Sequence, residues 1–334
     1  MFILTISVML PPYEMRGLYL SPGVLITGKN EKKFIKMIED GYINTLVFDI
    51  KDEWGNFYLE TCKKALKKYK KYNVYIIGRL PVFKDKNTAL SENGRFSLKT
   101  PSGEIWFDER EKYWVNPESR EVWFKVIKIA EECFKMGFDE IQFDYIRFPS
   151  STKPYVLKGN KLKILCEFLD TALSYLDTLG WISIDFYGYV CWFDILYLEG
   201  QSLKEMGRRV DAVYPMLYPS HFHDSFFKEL SKEERTFRIV YESMLNARKK
   251  VPDRFKRVVG YIQAFDWKSS RMGKDYIKNQ IDAALKSYQN GFILWHAGGD
   301  YDLAFKEMIE YFSNNKVAKN IYESSGNSKS IRGY

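Results

Sequence analysis

The chain has 334 residues, 46% of them hydrophobic, and a formal net charge of +8, enough apolar material to fill one large core without requiring a second domain. The positive excess lies largely on lysines of helical stretches, such as Lys63, Lys64, Lys67, Lys68, Lys70 and Lys71, which is how a solvated helix face reads, so no nucleic-acid partner is expected. Three histidines and four widely spaced cysteines cannot build a His-rich metal cage, a CxxC zinc site or a disulfide framework; no metal or other cofactor is expected, and the thiols read as buried or idle.

Residues 1–15 are expected to form an N-terminal arm. The apolar run Phe2 to Leu10 is far too short to span a bilayer and lacks a positive charge before it. If it is a truncated signal, the protein is exported or held at the cell envelope; otherwise a cytoplasmic location follows. From Arg16 the chain alternates β-branched or aromatic runs with amphipathic stretches of helical period, the signature of parallel βα units. Strands are predicted at 16–21, 44–50, 73–79, 139–145, 181–187, 211–217, 256–263 and 291–296. Helices are predicted at 30–41, 60–71, 117–136, 160–179, 201–208, 232–249, 274–289 and 301–312. Eight of each predict an α/β fold, a closed (β/α)8 TIM barrel over residues 16–312, followed by a flexible polar tail at 313–334.

One connection breaks the rhythm. Pro81 to Val115 is longer than such loops usually are, and Arg95 to Lys99, a Ser102-Gly103 turn and Glu104 to Phe107 predict a hairpin over the barrel mouth. Trp106 or Phe83 is expected to wall the site there, because loops at that face shape substrate clefts.

The segment Gly137 to Pro149 carries the strongest functional signal. Side chains alternate between the two faces of a strand, so Ile141, Phe143 and Tyr145 share one face while Gln142 and Asp144 share the other. Chemistry in such barrels sits at the C-terminal ends of the strands, which makes Asp144 the first catalytic candidate. The same alternation turns Tyr19, Asp49, Lys51, Arg79, Gln142, Asp144, Asp185, Tyr187, Tyr214, Met216, Tyr218, Gln263 and Trp295 inward. Carboxylates, cations and rings in one concavity suit a carbohydrate, with rings for sugar faces and charged groups for hydroxyls. Against this stand structural roles: Asp49 paired with Lys51 or Arg79, and Asp185 orienting Asp144. Asp266 reads as solvated loop charge and His221-Phe222-His223 as a loop pair.

Six segments then carry a resemblance: Val47 to Asn56, Arg79 to Asp85, Trp114 to Pro117, Phe138 to Pro149, Tyr214 to His221 and Ile262 to Phe265. Together and in this order they resemble the bacterial "putative glycosyl hydrolase domain" family, within the TIM-barrel glycosidase superfamily. The resemblance implies a carbohydrate-active site. More distantly, Asp139-x-x-Gln142-x-Asp144-x-Ile146 is similar to the DxxDxDxE pattern of family 18 chitinases, but Ile146 stands where that family has its proton-donating glutamate. The reading is a glycoside hydrolase acting on a polysaccharide or oligosaccharide. Asp144 serves as acid with Asp49 or Asp185 as its carboxylate partner, Arg147 and Arg79 hold substrate or keep the base ionised, and Asp144 is the member whose pKa is raised. The alternative is a carbohydrate-binding barrel without catalysis; a weaker third reading, a phosphate site, rests on Gly298-Gly299.

Overall fold

A computed structural model describes residues 9–315 of the chain. Its strands are β1 (Met15–Leu20), β2 (Thr45–Asp49), β3 (Tyr75–Pro81), β4 (Glu140–Asp144), β5 (Trp181–Tyr187), β6 (Ala212–Met216), β7 (Arg257–Val258), β8 (Gly260–Gln263) and β9 (Gly291–Trp295). All pairings between them are parallel, and they run from β1 through β6 to β7 and β8, then β9, which pairs back onto β1. The sheet is a closed barrel. β7 and β8 act as one stave, because Val259 between them still donates its N–H to Val213 O at 3.1 Å.

The outward faces of the strands are apolar, with Leu18, Leu46, Phe48, Ile76, Ile141, Phe143, Ile182, Ile184, Val213, Phe292 and Leu294 all buried against the helices. Burying a side chain of this size contributes roughly 1.5–3 kcal/mol, so the ring of helices is held chiefly by this face. The helices are α1 (Pro22–Thr27), α2 (Glu31–Glu39), α3 (Leu59–Tyr69), α4 (Lys86–Gly94), α5 (Arg120–Met136), α6 (Lys161–Leu176), α7 (Leu203–Gly207), α8 (Lys232–Lys250), α9 (Tyr276–Lys286) and α10 (Asp302–Asn314). Eight of them match the predicted helices; α1 and α4 do not. The α8 start shows how local sequence sets an end: the Ser231 side chain accepts from Glu234 N, and Glu234 reaches back to Ser231 N, a reciprocal capping box. At α5 the expected start at Pro117 gives way to a turn, in which Asn116 Oδ1 accepts from Glu118 N at 3.0 Å and the helix begins three residues later.

α10 continues to Asn314, so residues 313 and 314 complete the last helix rather than open the tail. The remaining tail and residues 1–8 of the expected arm lie outside the described residues. Met9 packs under the barrel, donating its N–H to Asp139 Oδ1 and accepting from Trp181 Nε1, each at 3.2 Å. No helix among the described residues is long and apolar enough to cross a membrane, and the four cysteines are buried as free thiols.

The long connection after β3 holds the kinked helix α4 and then successive antiparallel bridges, Ser97 with Val115, Lys99 with Ile105 and Phe107 with Tyr113. Its large side chains Phe96, Leu98, Trp106 and Trp114 are buried in the same core as the helices. It is packed structure.

Candidate active site

Alternation along each strand sorts the barrel interior into layers. At the N-terminal end, Glu140 Oε2 accepts from Arg257 Nη2 at 2.6 Å and from the Tyr75 hydroxyl at 2.8 Å, beside Met15 and Tyr214. Above it, Gln142 Oε1 accepts from the Tyr261 hydroxyl at 2.6 Å. The C-terminal layer holds Tyr19, Asp49, Arg79, Asp144, Asp185 and Trp295, from six different strands.

Arg79 is the hub of that layer. Its Nη1 donates to Asp49 Oδ1 at 2.7 Å, its Nε to Asp144 Oδ2 at 3.0 Å, and its Nη2 to the same Asp144 oxygen. Asp185 Oδ2 lies 3.6 Å from Nε, but neither oxygen of Asp185 has a hydrogen-bond partner. The register explains the convergence, since Asp49 is paired directly with Arg79 and Asp144 with Pro81 on the adjoining strand. Asp49, Asp144 and Asp185 are 4%, 3% and 1% exposed, so three carboxyl groups share one guanidinium in a dry layer. Burial first, and then the negative field of Asp144, push Asp185 well above the usual carboxylate range. Burial also raises Asp49, opposed by Arg79 and by the Tyr19 hydroxyl, which donates to Asp49 Oδ2 at 2.5 Å.

An aromatic cleft of about 830 Å³ opens above this layer. Tyr187, Met216, Tyr218 and Trp295 from the strand ends meet His221, Phe265, Asp266 and Trp267 from the loops that follow. Trp295 joins cleft to carboxylates: its ring stacks on Tyr19 with centroids 3.7 Å apart and lies 5.2 Å from the Arg79 guanidinium carbon. The carboxylates themselves do not line the cleft; they lie beneath this floor. Both cleft histidines, His221 and His296, are pushed below the ordinary imidazole range by burial.

Several sequence expectations change. Asp144, expected to be the raised carboxyl, has the Arg79 guanidinium of β3 beside it; burial raises Asp49 and Asp185, and Asp185, without a hydrogen-bond donor, is pushed well above the carboxylate range. Lys51 pairs at 2.7 Å with Asp85, beyond the strand end, not with Asp49. Tyr214 faces the opposite end of the barrel, against Met15 and Arg257. Gln142 sits one layer below the mouth. Gln263 is buried and tied to loop carbonyls, donating to Phe265 O at 3.0 Å and Trp267 O at 2.9 Å, so it holds the cleft's aromatic loop rather than facing into the cleft. Trp106 packs edge-on against Tyr155 and Phe83 against Phe168; neither lines the cleft. Arg147 lies over the Tyr187 ring at 4.5 Å, at the cleft's side.

Asp266 and His221 are cleft residues that sequence reasoning set aside, and Trp267 is one that it missed. The run Ala264-Phe265-Asp266-Trp267, two aromatic residues flanking a carboxylate just past a barrel strand, was the signal available. The left-handed Tyr145 backbone (φ 49°) had none, because nothing in the side chain requires it; it turns the chain sharply so that Tyr145 N–H donates back to Asp144 Oδ1, a conformation that costs of order 1 kcal/mol.

A family model described as "Putative glycosyl hydrolase domain" matches residues 17–301. The chain belongs to that family. The matched span takes in every barrel strand except the first two residues of β1 and ends just before α10. No curated protein matches the chain. Among solved structures it is similar to a class V chitinase from Pseudomonas fluorescens Pf-5 at 13% identity, covering 90% of this chain and 99% of that one with a TM-score of 0.59. The glycoside hydrolase domain of PgaB (BpsB) from Bordetella bronchiseptica matches at 13% identity over 88% of this chain and 98% of that one, TM-score 0.58. The spore cortex-lytic enzyme SleL of Bacillus cereus matches at 14% over 91% and 75%, TM-score 0.56. At these identities the likeness is one of fold.

Proposed function

We propose that this domain hydrolyses a glycosidic bond in a polysaccharide or oligosaccharide. The observation that carries the reading is the convergence of Asp49, Asp144 and Asp185 on Arg79 directly beneath an aromatic cleft at the barrel's C-terminal mouth. Hydrolysis of a glycoside needs one proton donor and one carboxylate acting as base or nucleophile. Asp185 suits the donor, because desolvation holds its proton to higher pH. Asp144 suits the partner, because Arg79 supplies it with two donors while it faces Asp185. Their Oδ2 atoms lie 3.0 and 3.6 Å from one nitrogen, Arg79 Nε, which admits the roughly 5–5.5 Å separation of retaining enzymes and leaves little room for the roughly 6.5–9.5 Å of inverting ones. Trp295, Tyr187 and Tyr218 would stack on sugar faces, and Trp295 and Tyr19 would have to shift for a sugar to reach the carboxyls. The class V chitinase and the PgaB glycoside hydrolase domain lend the fold to this reading.

The second reading, a carbohydrate-binding barrel without turnover, is favoured by the depth of the carboxyls below the floor and by Ile146, a fully buried core residue where a chitinase-like acid would stand. Reducing-end release from a panel of bacterial and plant glycans separates the two. The hydrolase reading expects turnover that falls by about 10²–10⁴-fold in Asp144→Asn. Glycan binding without turnover, equal in wild type and Asp144→Asn, would establish the binding barrel instead.

A further inference from the structure

Three cations crowd the ring of Tyr145 at the side of the cleft. The Arg79 and Arg147 guanidinium carbons lie 5.9 and 5.1 Å from its centroid, and Lys84 Nζ lies 4.6 Å away. Arg79 is matched by Asp49 and Asp144. Lys84 has one carboxylate partner among the described residues, Glu53 at 3.5 Å, whose side chain is a third exposed, and it donates to the Tyr145 hydroxyl at 3.4 Å. Arg147 is 7% exposed, and among the described residues no carboxylate lies within 4.0 Å of it; its Nη1 donates only to Phe148 O at 3.1 Å and Ser150 Oγ at 3.5 Å. Stacking over Trp114, Tyr145 and Tyr187 at 4.8, 5.1 and 4.5 Å returns part of the lost hydration, but a desolvated guanidinium without a counter-charge stays unfavourable. Lys84 responds to the same crowding: burial, with Arg147 adding to it, pushes its amine below the ordinary range.

The positive side continues outward. Arg110 lines both the main cleft and an adjoining cavity of about 570 Å³ walled by Trp54, Lys86, Lys112 and Tyr113, with Glu111 as its carboxylate. Lys112 and Lys86 stand 3.7 and 5.5 Å above the Trp54 ring. Arg110 makes no ion pair among the described residues. A ligand spanning the cleft and this cavity meets Arg110, Lys112 and Lys86, with Arg147 behind the Tyr187 ring at the cleft's side, and a neutral sugar would leave all four without a counter-charge.

We infer that the saccharide taken by this cleft is anionic, carrying uronic-acid carboxylates that pair with Arg147 and Arg110. This rests on the cleft being a saccharide site, and it specifies the class. A planar carboxylate matches the two-pronged donor edge of a guanidinium better than it matches an ammonium, which is why the carboxylate is favoured over other anions at the arginines.

The test uses the full chain and measures binding by calorimetry at 50 and 500 mM NaCl, with oligogalacturonate, oligoalginate, a sulfated carrageenan oligosaccharide, and neutral xylo- and chito-oligosaccharides of equal length. The expected result is at least tenfold tighter binding of one oligouronide than of every neutral oligomer, weakened at high salt. Arg147→Met, which keeps the stem on the rings, and the exposed Arg110→Ala should each reduce that preference at least fivefold. Equal or tighter binding of neutral sugars, no binding of any oligouronide, or a preference untouched in both variants overturns the inference. Tighter binding of the sulfated oligomer than of the oligouronides overturns the carboxylate assignment. Because binding is read without turnover, a hydrolase that cleaves only neutral glycans would refute the anionic class and leave the hydrolase reading intact.

Discussion

Asp185 makes a demand on stability that can be measured without any substrate. Its carboxyl has no donor to replace lost water, so its pKa in the fold is raised above the unfolded value. Between those two values the native chain binds a proton that the unfolded chain does not, and stability falls as pH rises through that window. Below the unfolded value, near 3.9, the acid is neutral in both states and imposes nothing. Asp185→Asn removes the titration, so its melting temperature relative to wild type should climb from pH 4 to pH 8; a difference that stays flat with pH would mean Asp185 is ionised and paired in the native state. Arg79→Met should act in the other direction at neutral pH. It leaves Asp49 and Asp144 buried without their shared cation, a loss of about 3–5 kcal/mol, read as a lower urea midpoint. Period-two alternation turned Asp49, Arg79, Asp144, Asp185 and Trp295 inward, but it turned Gln142 and Tyr214 inward as well, and only the register between strands sets them at a lower height. It could not say which carboxyl keeps its proton. That depends on which neighbours a guanidinium reaches across strands, and Arg79 spans from Asp49 to Asp144.

The element that sequence reasoning placed least well is the connection after β3. Its length pointed to a cleft border, which Arg110 supplies, but its hydrophobic content shows that most of it is packed: Phe96, Leu98, Trp106, Trp114 and Val115 are buried, and Val115 N–H donates to Phe83 O at 2.8 Å where the segment rejoins the barrel. Deleting Arg95 to Phe107 therefore unfolds packed structure instead of trimming a cleft wall. Trp106→Ala alone should cost about 3–5 kcal/mol, seen as a lower denaturant midpoint, while loss of glycan affinity without loss of stability would return Trp106 to the site. The short helices α1 and α4 escaped detection for a related reason. Six to nine residues, with three non-helical positions inside α4, are too few to show a helical period. The strands were legible because each outward face is an unbroken apolar series, yet at β5 the decisive contact belongs to a residue with no side chain. A Cβ on Gly188 would come 2.5 Å from Met216 O, so Gly188→Ala must push the β5 and β6 ends apart just where Tyr187 and Met216 enter the cleft.

At the scale of the whole barrel, the two ends divide the work. The N-terminal end closes on Glu140, Arg257, Tyr75 and Tyr214, with Met9 packed beneath through Trp181 and Asp139. At the C-terminal end the buried layer under the aromatic floor sets three carboxyls around the Arg79 guanidinium. Conservation of fold across distant barrels fits this division, since the chemistry of the mouth can change while the base holds. Glu140→Gln should therefore weaken the protein without touching its chemistry. It strands Arg257 in a dry layer, a loss of about 3–5 kcal/mol visible as a lower melting temperature, and because Glu140 Oε1 has no partner, an amide nitrogen placed there finds no acceptor for its hydrogens. On a glycan that the wild type cleaves, kcat/KM measured well below that melting temperature should stay within twofold, whereas Asp144→Asn, which removes a buried partner of Arg79 at the mouth, should lose about 10²–10⁴-fold in activity even where it is fully folded. If Glu140→Gln lost activity in proportion to Asp144→Asn while still folded, the charge at the base would be coupled to the mouth through Gln142 and Tyr261, and the division between the ends would fail.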